Sequence, residues 1–421
     1  MPVNKTATMR PLAWAKFMNQ YGYKPIIITR NWDRTITTED DVHFPSGKRI
    51  KHEIKDGYEV YYVPFKGTIE HRLINHIGRI KGASWLFSKI QKTFGHFFIF
   101  HPYRNFYKFA RKYIEKENID FVIVTVPPFD LLKIGYKLNK ATGVKWIADY
   151  RDEWHTSEIK TIISKGYSGF IGKIKQLFSP DTIENEKNWL KSSSCFTTVT
   201  PLGVSRMSKF LNIPGNYIPN GFFKNEFDTV EPVQLFDVFT ITYAGWLYES
   251  QQIEVLIQAI KNLHKKDRLI KVRLLFVGGN SFRGMSDRIS KLSVGIEHLV
   301  EMTDRVSRKD SIAIQKRSHL LLLCSHVDSK SIPSSKLYEY IALRKPVLVC
   351  PGDFGIINET IEKMQNGFIC RSVEEAESSL SSIMNEISEK GIINISFNEN
   401  LRDSFSRENQ TKSICEVLDS I

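Results

Sequence analysis

The chain alternates short apolar runs with amphipathic stretches, in two successive series, and this alternation constrains the fold most. The first series contains strand-like runs such as Phe121–Val126 and Lys145–Tyr150, separated by stretches with helical periodicity. A second series opens at Phe239–Ala244, after the polar stretch 228–237. Apolar strands that alternate with helices form parallel sheets with helices on both faces. The sequence therefore predicts an α/β protein with two doubly wound, Rossmann-like domains.

The predicted strands cover most apolar runs of the chain. They are 25–30, 59–64, Phe121–Val126, Lys145–Tyr150, 195–200 and 216–219 in the first series, and Phe239–Ala244, Val272–Val277, 320–324, 346–350 and 367–370 in the second. A doubly wound unit normally opens on a strand, whereas this chain opens on a polar loop and a helix around residues 10–20. We expect that the segment with the first strand is missing from this sequence, rather than that the N-terminal sheet lacks this strand.

Composition places the chain among ordinary globular proteins, with 42% hydrophobic and 25% charged residues. No run approaches the roughly 18 apolar residues of a membrane-spanning helix, and the N-terminus does not read as a secretory signal. The five cysteines are widely spaced and include no CxxC pair, so neither a disulfide framework nor a zinc site is expected. We expect a cytoplasmic protein.

A formal net charge of +13 raises the question of an anionic partner. Segment 51–112 is rich in both basic and aromatic residues. No helix-turn-helix, zinc-finger or RRM pattern accompanies it, so nucleic acid is not an expected partner. The remaining interpretations are peripheral contact with a membrane face, an anionic acceptor, or a solvated helix face that covers a core.

The segment 331–352 contains the most informative local pattern. A Pro-Ser-Ser-Lys turn opens a helix at Ser334, Ser335 and Lys336, where free amides and the helix dipole suit a phosphate. Glu339 follows about one turn later, where a carboxylate can accept both hydroxyls of a ribose. The alternative is an amphipathic helix with a serine cap and surface charges.

Several stretches resemble one family in the same order. Segment 331–352 resembles the donor-binding helix of the retaining glycosyltransferases of family 4, which have the GT-B fold. The other similar segments are 146–154, 217–222, 241–263, 272–280 and 405–418. The resemblance implies two Rossmann-like domains that face each other across a cleft. They would comprise residues 1–228, joined by a C-terminal helix at 405–421, and residues 229–404.

The same resemblance assigns the donor site. It implies that Glu339 binds the ribose and that amides around Ser334, Ser335 and Lys336 hold the diphosphate. Gly245 would let its loop approach the sugar phosphate. Arg305 and Val306 would border the base.

The sequence departs from the family pattern in three ways. Ser331 stands where many members have a glutamate that contacts the transferred sugar. Trp246 and Gln252 replace a basic pair, and Asp304 replaces a glycine. Because buried phosphate charge needs compensation, Lys336 is the candidate replacement for the lost cations.

A second cluster ends a predicted strand at the sheet edge where such folds bind ligands. Asp149 or Asp152 would contact the acceptor hydroxyl, with Arg151 near a phosphate, and His155 would share this role. The alternative is an arginine–aspartate pair that braces a loop. The chain has no HxxH, HExxH or DxD pattern, which favours chemistry without a metal or another cofactor.

These observations predict transfer of a sugar from a nucleotide sugar to an acceptor hydroxyl. The resemblance implies retention of anomeric configuration, a glycan or lipid-linked acceptor, and a role in bacterial polysaccharide or glycolipid synthesis at the inner face of the membrane. Two alternatives stay open: a nucleotide-sugar epimerase of the same fold, and a degenerate protein that binds a nucleotide sugar without transferring it.

Overall fold

The computed structural model describes residues 6–33, 43–67, 102–157, 183–228, 233–281, 283–326, 329–330 and 332–421. The chain divides into two compact units, each described by itself below. Unit 1 comprises Met1–Pro219 and Thr411–Ile421, and unit 2 comprises Asn220–Gln410.

The sequence predicted the boundary between the two units after residue 228, whereas the structure places it after Pro219. The Phe222 amide donates a hydrogen bond to the Phe405 carbonyl at 3.2 Å, and Phe222 also pairs with Ser406. Phe222 and Phe227 lie in the apolar core of unit 2. These contacts place residues 220–228 in unit 2.

Unit 1 contains two described sheets. Its strands are β1 (Ile26–Arg30), β2 (Lys51–Lys55), β3 (Tyr58–Val63), β4 (Phe121–Val126), β5 (Lys145–Tyr150), β6 (Cys195–Thr198) and β7 (Gly215–Tyr217). The first sheet has the order β1-β3-β2, with β2 antiparallel to β3, and the second is parallel with the order β4-β5-β6-β7.

The described helices of unit 1 cover these sheets. They are α1 (Thr6–Phe17), α2 (Arg104–Lys116), α3 (Leu132–Thr142), α4 (Ile183–Leu190) and α5 (Pro201–Leu211). Trp146 of β5 is fully buried, and a Cβ on Gly135 of α3 would approach its ring to 2.3 Å, so glycine permits this close packing. Ile414 and Leu418, near the C-terminus, pack beside Trp14 of α1.

Unit 2 is built on one parallel sheet of six strands. These are β8 (Phe239–Ala244), β9 (Val272–Val277), β10 (Val300–Met302), β11 (Leu320–Leu323), β12 (Val347–Val349) and β13 (Gly367–Ile369). Their order is β10-β9-β8-β11-β12-β13, the order of a Rossmann sheet. The strand order reverses between β8 and β11, and ligands bind such sheets at the carboxyl ends of the strands beside this point.

Most helices of unit 2 follow one of its strands. They are α6 (Lys224–Asp228), α7 (Glu254–Lys266), α8 (Arg283–Leu292), α9 (Arg308–Arg317), α10 (Ser335–Ala342), α11 (Ile356–Met364), α12 (Val373–Lys390) and α13 (Glu399–Ser404). The last helix, α14 (Arg407–Asp419), begins in unit 2 and ends in unit 1. No helix among the described residues is long and apolar enough to span a bilayer.

The predicted α/β class with Rossmann-like sheets is confirmed, but the sequence missed several elements. Strand β2 has no apolar run because all of its residues are exposed at a sheet edge. Helix α11 was also missed. The sequence feature that could have predicted α11 is Asp353, because its carboxylate accepts hydrogen bonds from the amides of Gly355, Ile357 and Asn358 at the start of the helix.

Candidate active site

The loop after β8 lies beside the reversal point of the unit 2 sheet. Gly245 has φ of +93°, a left-handed conformation that disfavours other residues. Its amide donates a hydrogen bond to the Val277 carbonyl at 3.0 Å. A Cβ at Gly245 would lie 3.7 Å from Cε of Lys336, so the backbone conformation rather than crowding requires glycine.

Helix α10 places two predicted donor ligands on one side. Leu337, Tyr338 and Tyr340 are buried in the core, whereas Lys336 and Glu339 remain half-buried. This pattern follows from the helical period, because the residues that pack on the sheet alternate with those that face away from it.

The first turn of α10 is already partly capped. Ser334 is the N-cap residue, and its hydroxyl accepts a hydrogen bond from the Lys336 amide at 3.3 Å. Ser334 and Ser335 are both half-buried. The prediction of free amides at this turn is therefore incomplete, since a phosphate would have to share or replace the Ser334 hydroxyl at one of them.

The Lys336 ammonium lies against the loop that follows β8. It donates a hydrogen bond to the Trp246 carbonyl at 3.2 Å and lies 4.7 Å from the centre of the Tyr243 ring. Burial lowers the pKa of Lys336, while the Glu339 carboxylate opposes that shift. The Lys336 ammonium thus lies between the glycine loop and the start of α10, where an anion would reduce the cost of its burial.

Glu339 forms an ion pair that the sequence did not predict. Its carboxylate lies 2.8 Å from Nη1 of Arg308, the first residue of α9. Arg308 also lies 3.3 Å from Glu226 and stacks over Phe227. The sequence feature that could have indicated this pair is the Ser307-x-x-Asp310 cap of α9. This cap places Arg308 at the first helical position.

The predicted base-binding residues lie between β10 and α9. Arg305 is exposed and Val306 is half-buried. Their role at the base stays a prediction. Ser331 lies outside the described residues.

In unit 1, Asp149 is the fully buried member of the acceptor-side cluster. Nε of Arg10 donates to its carboxylate at 3.0 Å, and the Thr197 hydroxyl donates at 2.7 Å. Nη1 of Arg10 reaches the carbonyls of Ile218 and Pro219 at 2.8 and 2.9 Å. This arrangement fits the alternative interpretation of a bracing ion pair, with Arg10 rather than Arg151 as the partner of Asp149.

Asp152 has a different environment. Arg151 uses its guanidinium on the carbonyls of Val126 and Pro127, so it too is held by the protein. Asp152 is exposed and makes no hydrogen bond or ion pair with any described residue. Desolvation of the carboxyl group by the surrounding protein raises the pKa of Asp152, and the positive charge of Arg151 opposes this shift.

The rest of this loop is rigidly held. Nδ1 of His155 lies 2.6 Å from the Glu186 carboxylate, and the Tyr150 hydroxyl donates to the same carboxylate at 2.7 Å. The Trp154 ring stacks on Phe129 at 4.9 Å. The loop therefore presents Asp152 from a fixed backbone while its neighbours are engaged in structural contacts.

Comparison with known proteins identifies part of the chain. Residues 231–407 match the family model described as glycosyl transferases group 1. A search of curated proteins finds no significant match. In the described residues no group of three His, Cys, Asp or Glu side chains is placed to hold a metal ion.

Solved structures resemble the whole chain at low sequence identity. Sucrose-phosphate synthase from Thermosynechococcus elongatus matches with a TM-score of 0.60 and 12% identity, over 97% of this chain and 91% of that one. A glycosyltransferase from Rickettsia africae matches with a TM-score of 0.58 and 14% identity, over 98% and 94%. Anabaena HepE, solved in complex with UDP-glucose, matches with a TM-score of 0.53 and 13% identity, over 75% and 82%.

The solved structures show that the chain has the GT-B fold. The match of residues 231–407 to the glycosyl transferases group 1 model supports a glycosyltransferase enzyme.

Proposed function

We propose that the protein transfers a sugar from a nucleoside diphosphate sugar to an acceptor hydroxyl with retention of anomeric configuration. The observation that carries this proposal is the side-by-side placement of Lys336 and Glu339 on α10, next to the left-handed glycine loop at Gly245. A cation and a carboxylate about one turn apart match the diphosphate and the ribose of one nucleotide.

The nucleoside half of the donor would lie on the Glu339 side. Arg308 holds the Glu339 carboxylate at 2.8 Å, so the acceptor of the ribose hydroxyls is already oriented. A fixed orientation reduces the entropy lost when the ribose binds. Arg305 and Val306 would border the base.

The diphosphate would lie between the glycine loop and the start of α10. Amides around Ser334, Ser335 and Lys336, together with the Lys336 ammonium, would stabilise the charge that develops on the leaving diphosphate. In a retaining transfer the departing phosphate oxygen can accept the proton of the acceptor hydroxyl, so no strong side-chain base is required. We assign no metal or other cofactor to this step.

Asp152 is our candidate contact for the acceptor. It is the exposed acid of its loop, whereas Asp149 is committed to Arg10 and Thr197. We propose a glycan or lipid-linked acceptor and a role in bacterial polysaccharide or glycolipid synthesis at the inner membrane face.

The described part of the basic segment 51–112 supports membrane contact on one helix face. Lys108, Arg111 and Lys112 of α2 are exposed, while Ala110 on the other face is buried. A helix with a basic outer face is attracted to anionic lipid surfaces. The residues 68–101 of this segment lie outside the described part of the chain.

A thermal-shift panel tests the donor assignment. The protein would be heated with UDP-, GDP-, ADP- and dTDP-sugars, and a bound donor raises the melting temperature by mass action. We expect sugars of one nucleotide class to raise the melting temperature. In a separate activity assay with acceptor, we expect the sugar to be released from that donor. No shift with any nucleotide sugar would reject the donor proposal, and binding without hydrolysis or transfer would favour the degenerate binder.

A further inference from the structure

We propose that Trp246, Tyr248 and His326 form a stacking wall that binds the pyranose ring of the donor. This inference rests on the proposed function, because it extends the nucleotide site by one subsite. It assigns a binding role to the position where the resemblance led us to expect cations. The class of ligand is a hexopyranosyl group carried on a nucleoside diphosphate.

The first argument is that the loop is rigid and that its aromatic rings remain about half exposed. Leu247 is buried and anchors the loop in the core, between Trp246, which is 46% exposed, and Tyr248, which is 54% exposed. Burial of large aromatic rings is normally favourable, so rings left exposed on a fixed loop indicate a surface for a ligand.

The backbone of the loop is held at each step by side chains of unit 2. The Tyr243 hydroxyl donates to the Trp246 carbonyl at 2.7 Å. The Tyr248 amide donates to Gln251 at 3.0 Å, and Arg288 donates to the Tyr248 carbonyl at 3.1 Å. A loop held in this way presents its rings in one orientation, which reduces the entropy lost on binding.

The three rings are neighbours whose planes are tilted, by 44° between Trp246 and Tyr248 and by 46° between Tyr248 and His326. The centres of the Trp246 and Tyr248 rings are 6.2 Å apart, and those of Tyr248 and His326 are 5.6 Å apart. His326 is oriented by the Ser250 hydroxyl, which lies 2.7 Å from its Nδ1. Polar groups of Ser250 and His326 at one end, and apolar faces at the other, match a sugar ring with hydroxyls on its edge and C–H groups on its face.

The position of the wall follows from the sheet order. Trp246 and Tyr248 follow β8, and His326 follows β11, so the wall lies at the carboxyl ends of the two strands where the order reverses. Lys336 bonds to the Trp246 carbonyl, whereas Glu339 pairs with Arg308. A ligand whose diphosphate contacts Lys336 therefore has its ribose toward Glu339 and its sugar toward Trp246.

The test compares binding of a nucleotide sugar with binding of the matching nucleoside diphosphate, both selected by the thermal-shift panel. Isothermal titration of Trp246→Ala should show affinity for the nucleotide sugar reduced about tenfold, and affinity for the nucleoside diphosphate changed less than about twofold. Trp246→Phe should retain most of the affinity because it keeps a stacking face. Tyr248→Ala should show a smaller loss of the same kind.

The control is Leu269→Ala, which removes a side chain that is 84% exposed before β9, away from the carboxyl ends of the strands. It should change neither affinity. The wall would be rejected if Trp246→Ala and Tyr248→Ala weakened both ligands equally, which would indicate nucleotide contact, or left both unchanged. Wild-type protein that bound neither ligand would instead overturn the donor proposal itself.

Discussion

Arg308 and Glu339 form an ion pair of 2.8 Å between the first residue of α9 and the middle of α10. The pair orients the carboxylate that we assign to the ribose before any donor binds. Arg308 is therefore a positioning residue, and Glu339 is the residue expected to touch the donor.

Replacement of Glu339 by Gln should raise the donor KM. An amide accepts hydrogen bonds from ribose hydroxyls less strongly than a carboxylate, and hydrogen bonds to charged groups contribute about 1.5–3 kcal/mol, so we expect an increase of about tenfold or more. Arg308→Gln should raise KM less, with kcat nearly unchanged. The matched control is Glu226→Gln, which also removes a partner of Arg308. An unchanged KM in Glu339→Gln would contradict the assignment.

Donor affinity should depend on pH through Lys336. Its pKa lies below the ordinary value of 10.5, because burial disfavours the charged ammonium. The charged form binds the diphosphate, so the donor KM should rise as the pH increases through this lowered pKa. Lys336→Arg should abolish the rise, since arginine stays charged throughout this range. The same rise in Lys336→Arg would mean that another group titrates.

The buried pair of Arg10 and Asp149 should stabilise unit 1. Removal of one partner leaves an uncompensated charge in the core, which costs about 3–5 kcal/mol. Asp149→Asn should therefore lower the melting temperature of unit 1, measured by calorimetry. Asp152→Asn, the same chemical change at an exposed position just after β5, should leave the melting temperature unchanged and lower kcat. The reverse pattern would exchange the structural and acceptor-side roles of the two carboxylates.

His319 should make unit 2 sensitive to acid. Its Nδ1 accepts a hydrogen bond from the Thr240 amide at 3.1 Å, and burial lowers its pKa to about 4. Because the unfolded chain binds this proton near pH 6.5 and the folded chain does not, stability contributed by the neutral ring is present above pH 6.5 and is lost between pH 6.5 and 4. The loss is on the order of 3 kcal/mol.

His319→Asn tests this linkage, since an asparagine oxygen can accept the same hydrogen bond without titrating. We expect the melting temperature of this variant to fall less between pH 7 and pH 4 than that of the wild type. Equal losses would assign the acid sensitivity to other groups.

Charge reversal on α2 should weaken membrane binding. The variant Lys108→Glu with Lys112→Glu places two negative charges on the exposed basic face, and each cation near an anionic surface contributes about 1 kcal/mol. Co-sedimentation with vesicles that contain phosphatidylglycerol should fall. The control, Lys265→Glu with Lys271→Glu, makes the same change of net charge in unit 2. Equal binding of the wild type to neutral and anionic vesicles would remove the membrane proposal.

The local pattern of the sequence determined the fold class. The alternation of apolar runs and amphipathic stretches depends on neighbouring residues, because helices and strands repeat over a few positions. Strand β8 accordingly has the predicted bounds, and Ser334 caps α10 at the predicted turn. Strand β2 lacks such a local signal and was missed.

The tertiary structure decided which side chains meet. Arg10 and Asp149 are 139 residues apart in sequence, and no local period relates them. Arg308 reaches Glu339, and the rings of Tyr248 and His326 adjoin, because the strand order of unit 2 brings distant loops to one sheet edge. Sequence alone therefore determined most of the elements and the residue types that suit a nucleotide sugar. The long-range pairing of strands determined that Asp149 is bound within the core and that Trp246 is left exposed.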